Sequence, residues 1–296
     1  MNHMKKELPV RGFLMHLSHY DPLWTREDWR RKYPFDLKLG MDLIDEMSRS
    51  GLNTLIVDCE DAIRFKSHPE IARSYTEPTG LLEKIFKHAA ARNIEIIPKL
   101  NFSQSSFYGH NEWMYPHNKW DDKKDIFDSE EYWKIAFELI DDILEIGQTK
   151  KFHIGMDEDN DRSHRLFKDA INILCAGLAK RNIRTIMWRD SRTDPRGEGF
   201  TEKHNYAESR IPKDIIPIIW KYDEAGNPAT IKHIIENGFE LWGATGETAS
   251  KDVVSRWRKS LLKYGGRGLI LTKWIPCHEI NRKSLMDIIK QLGPLL

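Results

Sequence analysis

The stretch TLIVDCE (54–60), followed by PTGLLEKIFKHAAARN (78–93) and EIIPKLN (95–101), decides the fold class. Its first and third pieces are short apolar runs, as expected of strands buried on both faces. The middle piece carries apolar residues at helical spacing. The same beat continues in both directions. RGFLMHLS (11–18) reads as a strand, and FDLKLGMDLIDEMSRSG (35–51) as a helix stopped by Gly51. Beyond a polar loop from 103 to 128 come the helix SEEYWKIAFELIDDILEIG (129–147), the strand FHIGMDE (152–158) and the helix SHRLFKDAINILCAGLAKRN (163–182). RTIMWRD, IIPIIWKY, ELWGAT and GLILTKW read as the remaining strands, with helices in between and after. SRTDPRGEGFTEKHNYAESRIPKD (191–214) is too polar and too broken by Gly and Pro to predict a helix.

Strand-like runs begin at residues 11, 54, 95, 152, 185, 215, 240 and 268, and alternation of this kind predicts a parallel (β/α)8 barrel, the TIM barrel of the α/β class. A single domain over residues 1–296 is then enough. A doubly wound open sheet usually carries a Gly-rich phosphate loop after its first strand, and HLSHYDP (16–22) is not one.

Composition narrows the function. The chain has 46 basic and 45 acidic residues, a formal charge of +1, so bulk attraction to nucleic acid or to an anionic membrane is not expected. Its three cysteines are scattered and form no CxxC pair, so neither a disulfide framework nor a zinc knuckle is indicated. No apolar run is long enough to span a bilayer. The cytoplasm is the expected compartment, with export left open if a leader has been removed.

In a (β/α)8 barrel the chemistry belongs at the C-terminal ends of the strands. There the sequence places His16, His19, Asp58, Glu60, Asp61, Asn101, Asp157 and Glu158, then Trp188, Asp190, Trp220, Trp242 and Trp274. Indole walls beside carboxylates suit a sugar, whose C–H faces stack on the rings while its hydroxyls bond to polar groups. Alternation along FHIGMDED (152–159) sends Phe152, Ile154 and Met156 toward the helices, and His153 and Asp157 toward the barrel interior or mouth. Asp159, Asn160 or Asp161 would serve as the cap of the next helix.

FHIGMDED resembles the His-x-Gly-Gly-Asp-Glu signature of glycoside hydrolase family 20 β-N-acetylhexosaminidases. PVRGFLM (9–15), GLNTLIVDCEDAIRFKSHPEI (51–71) and AAARNIEIIPKLN (89–101) resemble that family's first three strands, in order. The resemblance implies an exo-acting glycosidase with Glu158 as general acid and Asp157 holding the 2-acetamido group of the substrate. That group itself attacks the anomeric carbon, so no enzyme nucleophile is needed. It further implies that Arg11 binds ring hydroxyls and Trp274 walls the sugar. His153, Trp188, Asp190, Trp220, Trp242 and Glu247 complete the expected substrate-binding set, with Tyr222, Asp223 and Glu247 as candidates to clasp the acetamido group. No cofactor or metal is called for, and the partner is a carbohydrate substrate. The sequence departs from the family at Met156, at His16 and His19, and at Phe102-Ser103-Gln104 in place of Pro-Gly-His. Two other readings stay open: a metal site drawn from His16, His19, Asp58, Glu60, His153, Asp157 and His278, and a sugar-binding barrel without catalysis. The segment from Ser103 to Phe127, holding Trp113 and Trp120, is predicted to overhang the site.

Overall fold

The computed structural model describes residues 7–17, 34–105, 110, 112–114, 127–190 and 200–296. Eight parallel strands close into a barrel in sequence order: β1 (Val10–His16), β2 (Thr54–Asp58), β3 (Glu95–Lys99), β4 (Lys151–His153), β5 (Arg184–Arg189), β6 (Ile216–Trp220), β7 (Trp242–Gly246) and β8 (Gly268–Pro276). The register of β1 against β8, from Val10 opposite Gly268 to Leu14 opposite Thr272, completes the ring. Described helices α1 (Leu37–Arg49), α2 (Thr79–Ala90), α3 (Glu130–Ile146), α4 (His164–Lys180), α5 (Phe200–Glu208), α6 (Pro228–Glu236), α7 (Lys251–Tyr264) and α8 (Arg282–Leu292) alternate with the strands.

Both faces of the strands are buried, which is why they read as continuous apolar runs. Leu14, Ile56, Ile97, Ile186, Ile218 and Ile270 fill the barrel interior. Phe13, Leu55, Val57, Phe152, Ile154 and Met156 pack instead with the helices, and each such side chain contributes about 2 kcal/mol through burial. Met156 packs on the helix side, but β4 ends at His153, so a left-handed turn rather than strand alternation places it there. Helix starts are set by side-chain caps: Asp36, Ser129, Ser163, Asn227 and Ser250 each accept a backbone N–H from the first turn. Ser163 is thus the cap of α4, which releases Asp159 for another role.

Helix α5 corrects the sequence reading of 191–214. Its buried residues include Lys203, His204, Ala207 and Glu208, so its inward face is largely polar and leaves no hydrophobic period to detect. Lys203 and His204 reach Asp159 and Asp190 at the barrel mouth, whereas Glu208 pairs with Arg189, His233 and Asn237.

Candidate active site

Strand β4 ends at His153, and the chain then turns through left-handed backbone at Gly155 (φ +72°), Met156 (φ +75°) and Glu158 (φ +49°). Two non-glycine residues in that region are costly, so the surroundings must hold them. Asn101, just beyond β3, supplies much of the hold. Its Oδ1 accepts from Met156 N (3.1 Å), Ser103 N (3.0 Å) and Ser103 Oγ (2.9 Å), while its Nδ2 donates to Asp157 Oδ1 at 2.9 Å. A Cβ on Gly155 would fall 2.0 Å from Asn101 Oδ1, so only glycine fits there. From β5, Trp188 N donates to Gly155 O at 2.8 Å, and Asp190 Oδ2 accepts from Glu158 N at 3.2 Å. Asp157 is buried and Glu158 partly exposed, side by side at the mouth.

His110 completes a triplet with them, and sequence reasoning missed it. Its Nδ1 lies 3.0 Å from Ser103 Oγ and 3.1 Å from Asp157 O. Ser103 already gives its hydroxyl proton to Asn101, so both oxygens accept from Nδ1–H, and the lone pair of a neutral ring sits on Nε2. That nitrogen is 3.7 Å from Glu158 Oε2. Burial keeps the His110 pKa below its usual value despite the charge of Asp157. Ligand atoms of His110, Asp157 and Glu158 lie within 4.8 Å of one another, which makes this the group of described residues able to share either a proton or a divalent cation. His110 stands in a polar loop without periodicity, and its only sequence signal is a histidine following a strand.

Three of the four expected tryptophans gather here. Trp188 and Trp274 have ring centroids 6.1 Å apart, Trp274 lies 4.9 Å from His16, and Trp220 stacks on Tyr222 at 5.6 Å. Trp274 Nε1 donates to Tyr222 Oη at 2.9 Å, and Trp220 Nε1 donates to Asp190 Oδ1 at 3.2 Å. Burial, with the charges of Asp157 and Glu158 adding to it, raises the Tyr222 phenol and keeps it a neutral donor close to the carboxylates. Glu247 accepts from Trp274 N at 3.1 Å and pairs with Lys273, so it fixes the backbone from which the indole projects. Asp223 is exposed and reaches Lys221 instead. His153 Nδ1 accepts from Gly155 N at 3.0 Å, which puts the ring proton on Nε2. That donor and Trp188 Nε1 are buried without an acceptor among the described residues, in rings 4.8 Å apart.

Two residues expected at the mouth lie at the opposite end. Arg11 sits near the start of β1, where its guanidinium donates to Leu8 O and Gly51 O. Trp242 opens β7 rather than closing it: its ring lies against Gly268, the first residue of β8, and its Nε1 donates to Glu240. ELWGAT was read one half-strand too early, and Trp242 plugs the bottom of the barrel. The metal set also disperses. Lys99 Nζ bonds both Asp58 oxygens at 2.9 Å and Glu60 at 3.2 Å, and His16 Nδ1 lies 2.8 Å from Asp58, so an ammonium supplies the charge a cation would bring. His278 accepts from Ile280 N on an exposed turn. His19, Trp120 and most of the loop predicted to overhang the site lie outside the described residues.

Burial lowers the pKa of His16, His110 and His153, the last well below 6.5. An unfolded chain takes up these protons near pH 6.5 while the fold resists them. Stability is therefore complete above that pH and falls as the pH drops below it, by up to about 1.4 kcal/mol per pH unit for each histidine. Thermal unfolding should show a lower Tm at pH 5.5 than at pH 7.5; a Tm independent of pH in this range would contradict the burial of these rings.

No family model matches the sequence, and no curated protein matches it. Solved structures do match. A family 20 β-N-acetylhexosaminidase from Streptomyces coelicolor A3(2) aligns at TM-score 0.71 and 13% identity, over 97% of this chain and 64% of that one. A variant of the Streptomyces plicatus β-hexosaminidase in complex with its product GlcNAc aligns at TM-score 0.72 and 14% identity, over 97% and 63%. Dispersin B aligns at TM-score 0.61 and 15% identity, over 97% and 98%. The chain shares its barrel fold with these enzymes and spans just under two thirds of the length of the two streptomycete proteins.

Proposed function

We propose that the protein hydrolyses a terminal glycosidic bond of a hexosaminide or related sugar, with retention, the 2-acetamido group of the substrate acting as nucleophile. The observation that carries this reading is the Asp157-Glu158 pair on a strained turn at the end of β4, beside His110 and within a wall formed by Trp188, Trp220, Tyr222 and Trp274. Glu158, the more exposed of the two carboxyls, donates its proton to the leaving oxygen. Asp157, fixed through Asn101, orients the acetamido N–H and supports the positive charge that develops as its oxygen attacks. Tyr222 is a neutral donor on the same side, and the indoles pack on the sugar's apolar face.

The similar structures agree with this class: two are hexosaminidases, one holding GlcNAc. Proton NMR of the first product formed should show the same anomer as the substrate. First formation of the opposite anomer would require a water nucleophile and refute the substrate-assisted mechanism. Replacing Trp274 by Ala should weaken sugar binding about tenfold, from the loss of an aromatic contact. An unchanged Kd would return Trp274 to a purely structural role.

A further inference from the structure

We propose that Arg162 is a positioning residue for Glu158, acting by tying both ends of the segment that carries His110 to the turn that presents the acid. This rests on the hydrolase reading above. The side chain of Arg162 is fully buried at the base of the loop between β3 and α3. Its Nη1 donates to Phe102 O (2.8 Å), where that loop begins, and to Asp159 Oδ2 (2.6 Å), the residue after Glu158. Its Nε and Nη2 form a fork on Asp128 (2.8 and 2.9 Å), where the loop ends, and the guanidinium lies over the Phe127 ring. One planar cation thus joins three points of the chain that are distant in sequence.

Asp159 makes the joint stiffer. Its carboxylate also accepts from Gln104 N (2.8 Å) and Arg162 N (3.1 Å), and its carbonyl accepts from Lys203 Nζ of α5 (2.6 Å). Two cations, Arg162 and Lys203, balance two carboxylates, Asp128 and Asp159, so the buried cluster carries no net charge. The neighbouring residue of α5, His204, reaches Asp190, which receives the Glu158 N–H. The left-handed Glu158 is therefore held from both sides, and the loop bearing His110 is fastened to the same anchor. A lysine keeps the charge at 162 but lacks the fork that spans Asp128, Phe102 and Asp159.

The test compares the wild type with Arg162→Lys and Asp128→Asn on two aryl 2-acetamido-glycosides, one with a leaving group that needs a proton and one so activated that it needs none. Misplacing the acid should lower kcat/KM, which reports the step that expels the leaving group, about 10- to 100-fold on the first substrate and leave it within about twofold on the second. Equal losses on both substrates, or none on either, would overturn the role, since loss of folded protein cannot discriminate between leaving groups. Should Arg162→Lys fail to fold, Asp128→Asn decides. The Asp128 side chain is 18% exposed, asparagine tolerates the φ of +62° there, and Arg162 keeps its bond to Asp159. A wild type inert on both substrates would instead sink the hydrolase reading itself.

Discussion

Glu158→Gln is expected to lower kcat by about two to four orders of magnitude on a glycoside with a poor leaving group, the usual contribution of a positioned general acid. The substitution removes a proton donor and almost no volume. The backbone N–H of residue 158 still reaches Asp190, and the clamp at Asp159 does not involve the 158 side chain. Binding of a product-like sugar should therefore be retained while turnover is lost. Near-wild-type turnover would move the proton-donating role to another group.

The largest expected effect on stability comes from Lys99→Met. Burial works against the Lys99 charge, but Asp58 and Glu60 outweigh it and raise its pKa above the ordinary range. Burial pushes the Glu60 pKa up and the His16 pKa down, so both lean toward their neutral forms beside the Asp58–Lys99 ion pair. Removing the cation leaves Asp58 buried without its counter-charge, which costs about 3–5 kcal/mol. For a chain of this size, that is a fall in Tm on the order of 10 °C. The double variant Asp58→Asn with Lys99→Met should recover part of the loss, because neither charge then remains unpaired. A single variant as stable as the wild type would mean that Asp58 is solvated or neutral in the fold.

The strands and most helices were legible because burial writes itself into apolar period: continuous runs for the strands, three- and four-residue spacing for the helices. The Asp157-Glu158 pair was legible for a related reason, since carboxylates at the end of a buried strand have few structural uses. Trp242 was misplaced because an indole reads the same at either end of a short strand, and only the register against Gly268 fixes which end it occupies. Arg11 was assigned by resemblance, and its bonds to Leu8 and Gly51 keep its head group at the opposite face. His110 and the inward face of α5 escaped because their partners are polar and distant in sequence: Asp157 for His110, Asp159 for Lys203 and Asp190 for His204. Polar contacts of that kind leave no periodic trace.

The central claim is that the acetamido group of the substrate takes part in the reaction at the Asp157-Glu158 pair. Chromophore release from a matched set of aryl β-glycosides, with and without a 2-acetamido substituent, tests it most directly. The account predicts turnover confined to the acetamido sugars. Comparable turnover of sugars lacking that group would contradict it, because an enzyme nucleophile or base would then have to do what the substrate is assigned here.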